Sequence, residues 1–208
     1  MLSAKEAAKI TSAHYNFDEW SQDPKVMEEK MSQDLPKDFY INYGLSNRGV
    51  MVAERGNQRV ISIKGTDPKN RSDLLSDLQL ALGLHKSNIQ FRQRKNEIKN
   101  IMRREPNKEY YLAGHSLGGS IISNAIASSP SILRNVKKAY TFNQASTPIF
   151  EAMLKPRKEN ETMLNEKIEH HKTKADPISA TTSSYGETIF HKQKSRNPIT
   201  SHSISNFI

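Results

Sequence analysis

Apolar residues recur along this chain at two spacings, one typical of helices and one typical of strands. Helical spacing over residues 3–20 predicts an N-terminal helix, and residues 88–104 predict an amphipathic helix that ends before Pro106. Residues 117–128 are rich in Ile and Ala and also favour a helix. The charged segment 150–166 is predicted to be helical as well.

Strand-like runs alternate with these helices. Residues 49–53 and 60–63 flank Arg55-Gly56-Asn57-Gln58, a combination that predicts a β-hairpin with a tight turn. Further strands are predicted at 109–113, 138–142, 168–173 and 188–191. Strands that alternate with helices indicate the α/β class, so we expect a mainly parallel twisted sheet flanked by helices, with one antiparallel hairpin near its start.

The length of 208 residues fits a single domain. We expect one α/β-hydrolase-like unit over 1–208, with an N-terminal helical region at 1–48 and the core of the fold at 49–208.

No apolar run approaches the roughly 18 residues that span a bilayer, and the charged opening is unlike a signal peptide. We therefore expect a soluble protein that is cytoplasmic or, if the source is viral, associated with the virion. The absence of cysteine excludes disulfides, a thiolate nucleophile and cysteine-type metal sites.

The formal net charge of +9 would attract polyanions, among them nucleic acid and anionic lipid headgroups. The Lys and Arg residues are scattered, many along predicted helices, so solvated helix faces explain them as well as a binding site does. Charge alone does not choose between these interpretations.

The segment Gly114-His115-Ser116-Leu117-Gly118 matches G-x-S-x-G between a predicted strand and a predicted helix. Such a sharp turn lifts the serine hydroxyl clear of the sheet, and the flanking glycines, Gly119 included, leave room for the neighbouring strand and helix. The helix N-terminus directs N–H groups and a positive dipole toward a developing oxyanion. Ser116 is the candidate nucleophile, since a structural glycine-rich turn does not explain the partners found downstream.

The acid and the base of such a site follow the nucleophile in chain order. Asp176 is the only aspartate after Ser116; it follows a predicted strand, although Asp-Pro is also an ordinary turn starter. His191 and His202 lie beyond it. His191 falls inside a strand-like run, as a half-exposed sheet histidine would, whereas His202 is expected in a small polar loop, so His202 is the preferred base. His115 is expected to point away from the nucleophile and to be structural.

Together these motifs resemble the class 3 (fungal-type) lipases, an α/β-hydrolase family, over most of residues 49–207. The resemblance rests on six segments: Gly65-Thr66, Asp73-Leu74-Leu75-Ser76-Asp77-Leu78, Gly114-His115-Ser116-Leu117-Gly118-Gly119, Thr141-Phe142-Asn143-Gln144, Asp176-Pro177-Ile178 and His202-Ser203. It implies a serine acyl-hydrolase with Ser116, Asp176 and His202 as its triad. The sequence departs from the family at Lys64, where the family has arginine, and at Ala145-Ser146, where it has Pro-Arg.

The resemblance also implies that Thr66 and Leu117 supply N–H donors to the oxyanion hole, and that no metal or organic cofactor takes part. The implied substrates are lipid esters, triacylglycerol or phospholipid. A lid after the oxyanion residue would lie within Pro68–Leu84, whose leucines either cover an acyl pocket or are core contacts of an amphipathic helix. With the basic surface we expect peripheral contact with an anionic membrane, and we do not expect nucleic acid.

Two other functions remain compatible with the sequence. The fold could be a catalytically silent binding module that uses its basic surface, although the complete set of catalytic residue types argues against this. Alternatively the enzyme cleaves a thioester, a peptide or a small soluble ester, because acyl and headgroup pockets are built by residues scattered over loops. The sequence indicates neither the chain-length preference nor the oligomeric state.

Overall fold

The computed structural model describes residues 1–20, 29, 33–65, 85–146, 151, 154, 158–179, 183, 185–192, 194 and 197–208. Its helices are α1 (Ala4–Trp20), α2 (His85–Arg104), α3 (Leu117–Ala127), α4 (Pro130–Asn135), α5 (Lys158–Lys167) and α6 (Pro198–His202). Its strands are β1 (Tyr40–Ile41), β2 (Val50–Arg55), β3 (Gln58–Ile63), β4 (Glu109–His115), β5 (Val136–Phe142), β6 (Ile168–Thr173) and β7 (Glu187–His191). A 3₁₀ helix over Ile204–Phe207 follows α6.

The seven strands form one sheet in the order of the sequence, β1 to β7. Strands β1, β2 and β3 are antiparallel, and every pair from β3–β4 to β6–β7 is parallel. The hairpin turns at Gly56, whose φ of 56° suits a residue without a side chain. This architecture confirms the predicted α/β fold, including the antiparallel hairpin near its start.

Two apolar cores lie on opposite faces of the sheet, because side chains alternate along each strand. Val52, Ile61 and Leu112 belong to the core that α2 and α3 cover. Met51 and Val60 belong to the other core, which α1 and the C-terminal 3₁₀ helix cover. Strands buried on both faces therefore carry nearly continuous apolar runs.

The N-terminal helix lies over the sheet, as its apolar spacing predicted. It begins with a capping box in which Ser3 N donates to Glu6 Oε2 (2.8 Å) while Glu6 N donates to Ser3 Oγ (3.3 Å). The Tyr140 hydroxyl in β5 donates to the Leu2 carbonyl at 2.7 Å. The start of the chain is thus bonded directly to the middle of the sheet.

Several elements differ from the sequence prediction. The two-residue strand β1 and the short helix α4 are additional, and α2 begins at His85 instead of residue 88. Helix α4 starts at Pro130 with Ser129 as its N-cap, two local signals that the predicted elements did not include. The segment Pro68–Leu84, the expected lid, lies outside the described residues. Within the described part of the chain, no helix combines the length and apolarity that crossing a bilayer requires.

Candidate active site

Ser116 occupies a sharp turn between β4 and α3. Its φ of 55° and ψ of −127° are strained values for a residue with a side chain. Backbone hydrogen bonds hold the turn: Ser116 N donates to the Phe142 carbonyl at 3.0 Å, and Ala145 N donates to the Ser116 carbonyl at 3.2 Å. The chain therefore maintains an unfavourable conformation at this one serine.

The glycines around Ser116 allow the backbone segments to approach closely. A Cβ atom on Gly118 would lie 2.2 Å from the carbonyl oxygen of Ile63 in β3. A Cβ atom on Gly114 would lie 2.7 Å from the carbonyl carbon of Gly118, at the start of α3. Strand, turn and helix pack at backbone distance here, as the motif predicts.

Asp176 and His202 form a buried hydrogen-bonded pair. The His202 Nδ1–H donates to Asp176 Oδ2 at 2.9 Å, and the two residues are 3% and 2% exposed. Burial acts to raise the pKa of the Asp176 carboxyl, but His202, Ser179 and the Ile178 N–H together hold that pKa below its usual value. Asp176 is therefore a carboxylate that fixes the imidazole ring with its Nε2 directed elsewhere.

The structure corrects the predicted surroundings of His202. This residue ends the helix α6 and is buried, instead of lying in a polar loop. Pro198 opens the helix, and Ser201 N donates to the Asn197 carbonyl at 2.9 Å. The Ser- and Thr-rich composition of the segment suggested a loop because these residues are common in turns.

The Ser116 hydroxyl and the His202 Nε2 share one property. Each is buried, and neither has a hydrogen-bond partner within the part of the chain that the structure describes. Buried polar atoms are nearly always paired, so each exception requires an explanation, and a catalytic role is one such explanation. A nucleophile–base bond would join these two atom types, and that bond is often long in proteins without substrate.

His191, the other histidine considered as base, lies elsewhere. It ends β7, is partly buried, and its Nε2 is 2.8 Å from Nδ1 of His171. Among the described residues, the Asp176 carboxylate accepts hydrogen bonds from His202, Ser179 and the Ile178 N–H, and not from His191. The geometry therefore favours His202 as the partner of the acid.

His115 contacts His202 although it was expected to be structural. Its Nε2 lies 2.5 Å from the His202 carbonyl oxygen, its Nδ1 lies 2.9 Å from the Tyr15 hydroxyl, and the two histidine rings are 4.8 Å apart. Sequence reasoning missed Tyr15 altogether, since no local motif marks it.

Asn143 is a second residue whose role sequence reasoning missed. Its Nδ2 donates to the Ser201 carbonyl at 2.7 Å, and its Oδ1 accepts from Thr173 N at 2.9 Å. With a φ of 40° it follows β5 in the left-handed region, which Asn tolerates better than most residues. The only signal in the sequence was its place in a motif quoted for the family resemblance.

Of the two predicted oxyanion donors, Leu117 is among the described residues and Thr66 is not. Leu117 is the first residue of α3, so its N–H has no carbonyl partner inside that helix. Thr66 lies outside the described residues. The preceding Gly65 lies against the turn, where a Cβ atom would be 2.7 Å from the His115 carbonyl oxygen.

A mixed seven-stranded sheet with a strained serine turn between β4 and α3 defines the class as a lipase-like α/β-hydrolase fold. The chain belongs to the phospholipase-like family whose model is described as the Tle-like phospholipase domain, which matches residues 44–183. No curated protein matches the sequence.

Several solved lipase structures are similar to this chain. Rhizomucor miehei lipase in its native propeptide complex is similar with a TM-score of 0.54 and 11% identity, over 98% of this chain and 78% of that one. A lipase from Rhizopus microsporus var. chinensis has a TM-score of 0.49 and 13% identity, with 98% of this chain and 85% of that chain covered. Lipase II from Rhizopus niveus has a TM-score of 0.48 and 12% identity, with 84% of this chain and 71% of that chain covered. The predicted resemblance to fungal-type lipases is confirmed at the level of the fold.

Proposed function

We propose that this protein hydrolyses carboxylic esters of lipids, as a triacylglycerol lipase or a phospholipase A1-like enzyme, with Ser116, His202 and Asp176 as its catalytic residues. The observation that carries the proposal is the buried 2.9 Å bond between Asp176 and His202. Among the described residues, neither the His202 Nε2 nor the Ser116 hydroxyl has a hydrogen-bond partner. The phospholipase-like family supports lipid esters as the substrate class.

In the proposed reaction His202 Nε2 takes the proton of the Ser116 hydroxyl as the oxygen attacks the ester carbonyl. The carboxylate of Asp176 holds the Nδ1–H and stabilises the imidazolium. The imidazolium then protonates the leaving alcohol as the C–O bond breaks, which leaves an acyl ester on Ser116. Water, deprotonated by His202, attacks this ester and releases the fatty acid and the serine.

The tetrahedral intermediate carries a negative oxygen that needs donors. Leu117 at the N-terminus of α3 supplies one backbone N–H, and the helix dipole adds a favourable field. By the family resemblance Thr66 supplies the second. Each donor of this kind contributes about 3 kcal/mol to stabilisation of the transition state.

Peripheral contact with an anionic membrane is a second part of the proposal. The strands β4 to β7 are parallel, so the end of β7 lies at the same edge of the sheet as Ser116. Phe190 is 60% exposed there, and with Lys174, His191 and Lys192 it lines an open cavity of about 590 Å³. An exposed aromatic ring beside lysines suits the interface of a negatively charged bilayer.

The function is tested with phospholipid and triacylglycerol emulsions, by following fatty-acid release from the wild type, Ser116→Ala and Ser120→Ala. Ser120 is a matched control because it is a buried serine of α3 whose hydroxyl donates to the carbonyls of Ser116 and Ala145, so its removal affects the same turn and leaves the proposed nucleophile in place. We expect release by the wild type and by Ser120→Ala, and none by Ser116→Ala. Equal release by Ser116→Ala would refute the proposal, and so would a wild type that hydrolyses only soluble esters or thioesters.

A further inference from the structure

A buried imidazole outside the proposed triad joins the N-terminal helix to the proposed base. His202 ends α6, and the last carbonyls of a helix have no partner within it. His115 Nε2 reaches the His202 carbonyl oxygen at 2.5 Å, and His115 Nδ1 reaches the Tyr15 hydroxyl of α1 at 2.9 Å. His115 and His202 are 87 positions apart in the sequence, and Tyr15 and His115 are 100 apart, so the fold brings these three residues together.

The hydrogen-bond directions follow from the chemistry of the groups. A carbonyl oxygen only accepts, so the Nε2 of His115 carries the proton that it donates to His202. Burial first, and His202 second, lower the pKa of His115 to about 3, which makes the ring neutral at ordinary pH. In a neutral ring with Nε2–H the Nδ1 accepts, and therefore the Tyr15 hydroxyl donates to it.

We propose that Tyr15 and His115 are positioning residues that hold the backbone of His202, and through it the imidazole ring, in the orientation that the reaction requires. The inference rests on the proposed function. His115 precedes Ser116 in the turn, so the segment that presents the nucleophile also fixes the base. Small displacements of a catalytic group are costly, which gives such a restraint a direct effect on rate.

The neutral state of His115 suits this role. His202 becomes an imidazolium during the proposed attack, and the two rings are only 4.8 Å apart. A second positive charge at that distance in a buried site would oppose the proton transfer. His115 restrains the base through an uncharged N–H and adds no competing charge.

The kinetic test compares His115→Leu, His115→Gln and Tyr15→Phe with the wild type. His115→Leu removes the donor, and we expect kcat to fall between about tenfold and a hundredfold while KM changes little. His115→Gln places an amide N–H near the former Nε2, so most of the rate should return. Tyr15→Phe removes the hydroxyl that donates to His115 Nδ1 and keeps the bond from Nε2 to the His202 carbonyl, so its loss of kcat should lie between those of the two His115 variants.

A matched control separates positioning from general destabilisation. His14 is also a buried histidine; it lies beside Tyr15 in α1, and its Nδ1 is 3.1 Å from the Ser62 hydroxyl. We expect His14→Leu to lower the melting temperature as much as His115→Leu does while it retains kcat. Equal losses of kcat in both variants, or no rescue by His115→Gln, would overturn the inference.

A second measurement does not depend on activity. In the wild type labelled with ¹⁵N-histidine, the His202 Nδ1 proton bound to Asp176 should give a downfield, slowly exchanging NMR signal, and His115 should show the Nε2–H tautomer. His115→Leu should broaden or abolish the His202 signal, and His14→Leu should not. If Ser116 proves unreactive while these signals behave as stated, the proposed function fails and the positioning contact stands. An unchanged His202 signal in His115→Leu overturns the inference.

Discussion

The side-chain amide of Asn143 donates a 2.7 Å hydrogen bond to the carbonyl of Ser201, the residue before the proposed base. The same side chain accepts a bond from Thr173 N at the end of β6. One residue thus joins the ends of β5 and β6 to the helix that carries His202. The loop with Asp176 follows Thr173 directly. Asn143 therefore supports both the segment that carries Asp176 and the helix that carries His202.

Asn143→Gly tests this arrangement. Glycine adopts a φ of 40° without strain, so the variant removes the side-chain bonds without adding backbone strain. The Ser201 carbonyl keeps its bonds from Thr173 Oγ1 and Asn206 Nδ2, but Thr173 N–H loses its acceptor, which should lower the free energy of unfolding by about 1–3 kcal/mol and lower kcat. Denaturant unfolding and steady-state kinetics measure the two effects.

Asn47→Gly is the control for that variant. Asn47 also bonds backbone N–H groups, those of Gly49 and Val50, and precedes β2 far from Ser116 in the chain. We expect it to lower stability and to leave kcat unchanged. An Asn143→Gly variant with the kcat of the wild type would show that the contact does not position the base.

Two buried histidines predict how stability depends on pH. Burial lowers the pKa of His115 to about 3 and that of His170 to about 4, whereas an unfolded chain has a value near 6.5. The unfolded state binds more protons below this value, so the stability they contribute is complete above about pH 6.5 and is lost as pH falls toward about 4 for His170 and about 3 for His115.

Chemical unfolding at about pH 7 and about pH 5 measures this loss, which should be on the order of 1–2 kcal/mol for each histidine. His170→Gln keeps a donor for the Tyr185 carbonyl, 2.9 Å from the native Nε2, and removes one titration, so its stability should depend less on pH. Equal stability of the wild type at both pH values would contradict the prediction.

The close packing of the turn predicts the effect of a single methyl group. Gly118→Ala places a Cβ atom 2.2 Å from the Ile63 carbonyl oxygen, so β3 or α3 must move. We expect a loss of about 3 kcal/mol or more in unfolding free energy. Gly44→Ala, whose Cβ meets only the Asn42 side chain at 3.5 Å, should change stability by less than about 0.5 kcal/mol. Similar stability of both variants would show that the backbone approach is not required.

The proposed membrane surface is tested by charge reversal. Lys174→Glu with Lys192→Glu should reduce binding to vesicles of phosphatidylcholine and phosphatidylglycerol, since each lysine near such a surface contributes about 1 kcal/mol. Arg103→Glu with Arg104→Glu places the same change in charge on two exposed residues at the end of α2, which precedes the opposite edge of the sheet. Vesicle sedimentation should show weak binding only for the lysine variant. Equal binding by all proteins would locate the contact elsewhere.

The sequence predicted the fold wherever a local pattern determines structure. Buried strands appear as short apolar runs, and the turn at Ser116 has a motif that steric requirements dictate. Chain order and the small number of candidates selected Asp176 and His202 as the predicted acid and base. The structure shows a 2.9 Å hydrogen bond between them, and their catalytic roles stay a prediction.

The supporting contacts were not predictable in the same way. Tyr15 and His115 are 100 residues apart, and Asn143 and Ser201 are 58 apart, so no local spacing relates them. His202 was wrongly expected in a loop because five residues of helix leave almost no periodic signal. Positioning of a site depends on tertiary contacts, which a single sequence does not display.

The central claim, that Ser116 is a nucleophile activated by His202 and Asp176, is tested most directly by covalent labelling. A fluorophosphonate probe is incubated with the wild type, Ser116→Ala, Ser120→Ala and His202→Ala, and the adduct is located by peptide mass spectrometry. We predict one adduct, on Ser116, in the wild type and in Ser120→Ala, and no adduct or very slow labelling in the other two. An adduct on another residue, or no adduct on folded wild-type protein with lipid vesicles present, would contradict the claim.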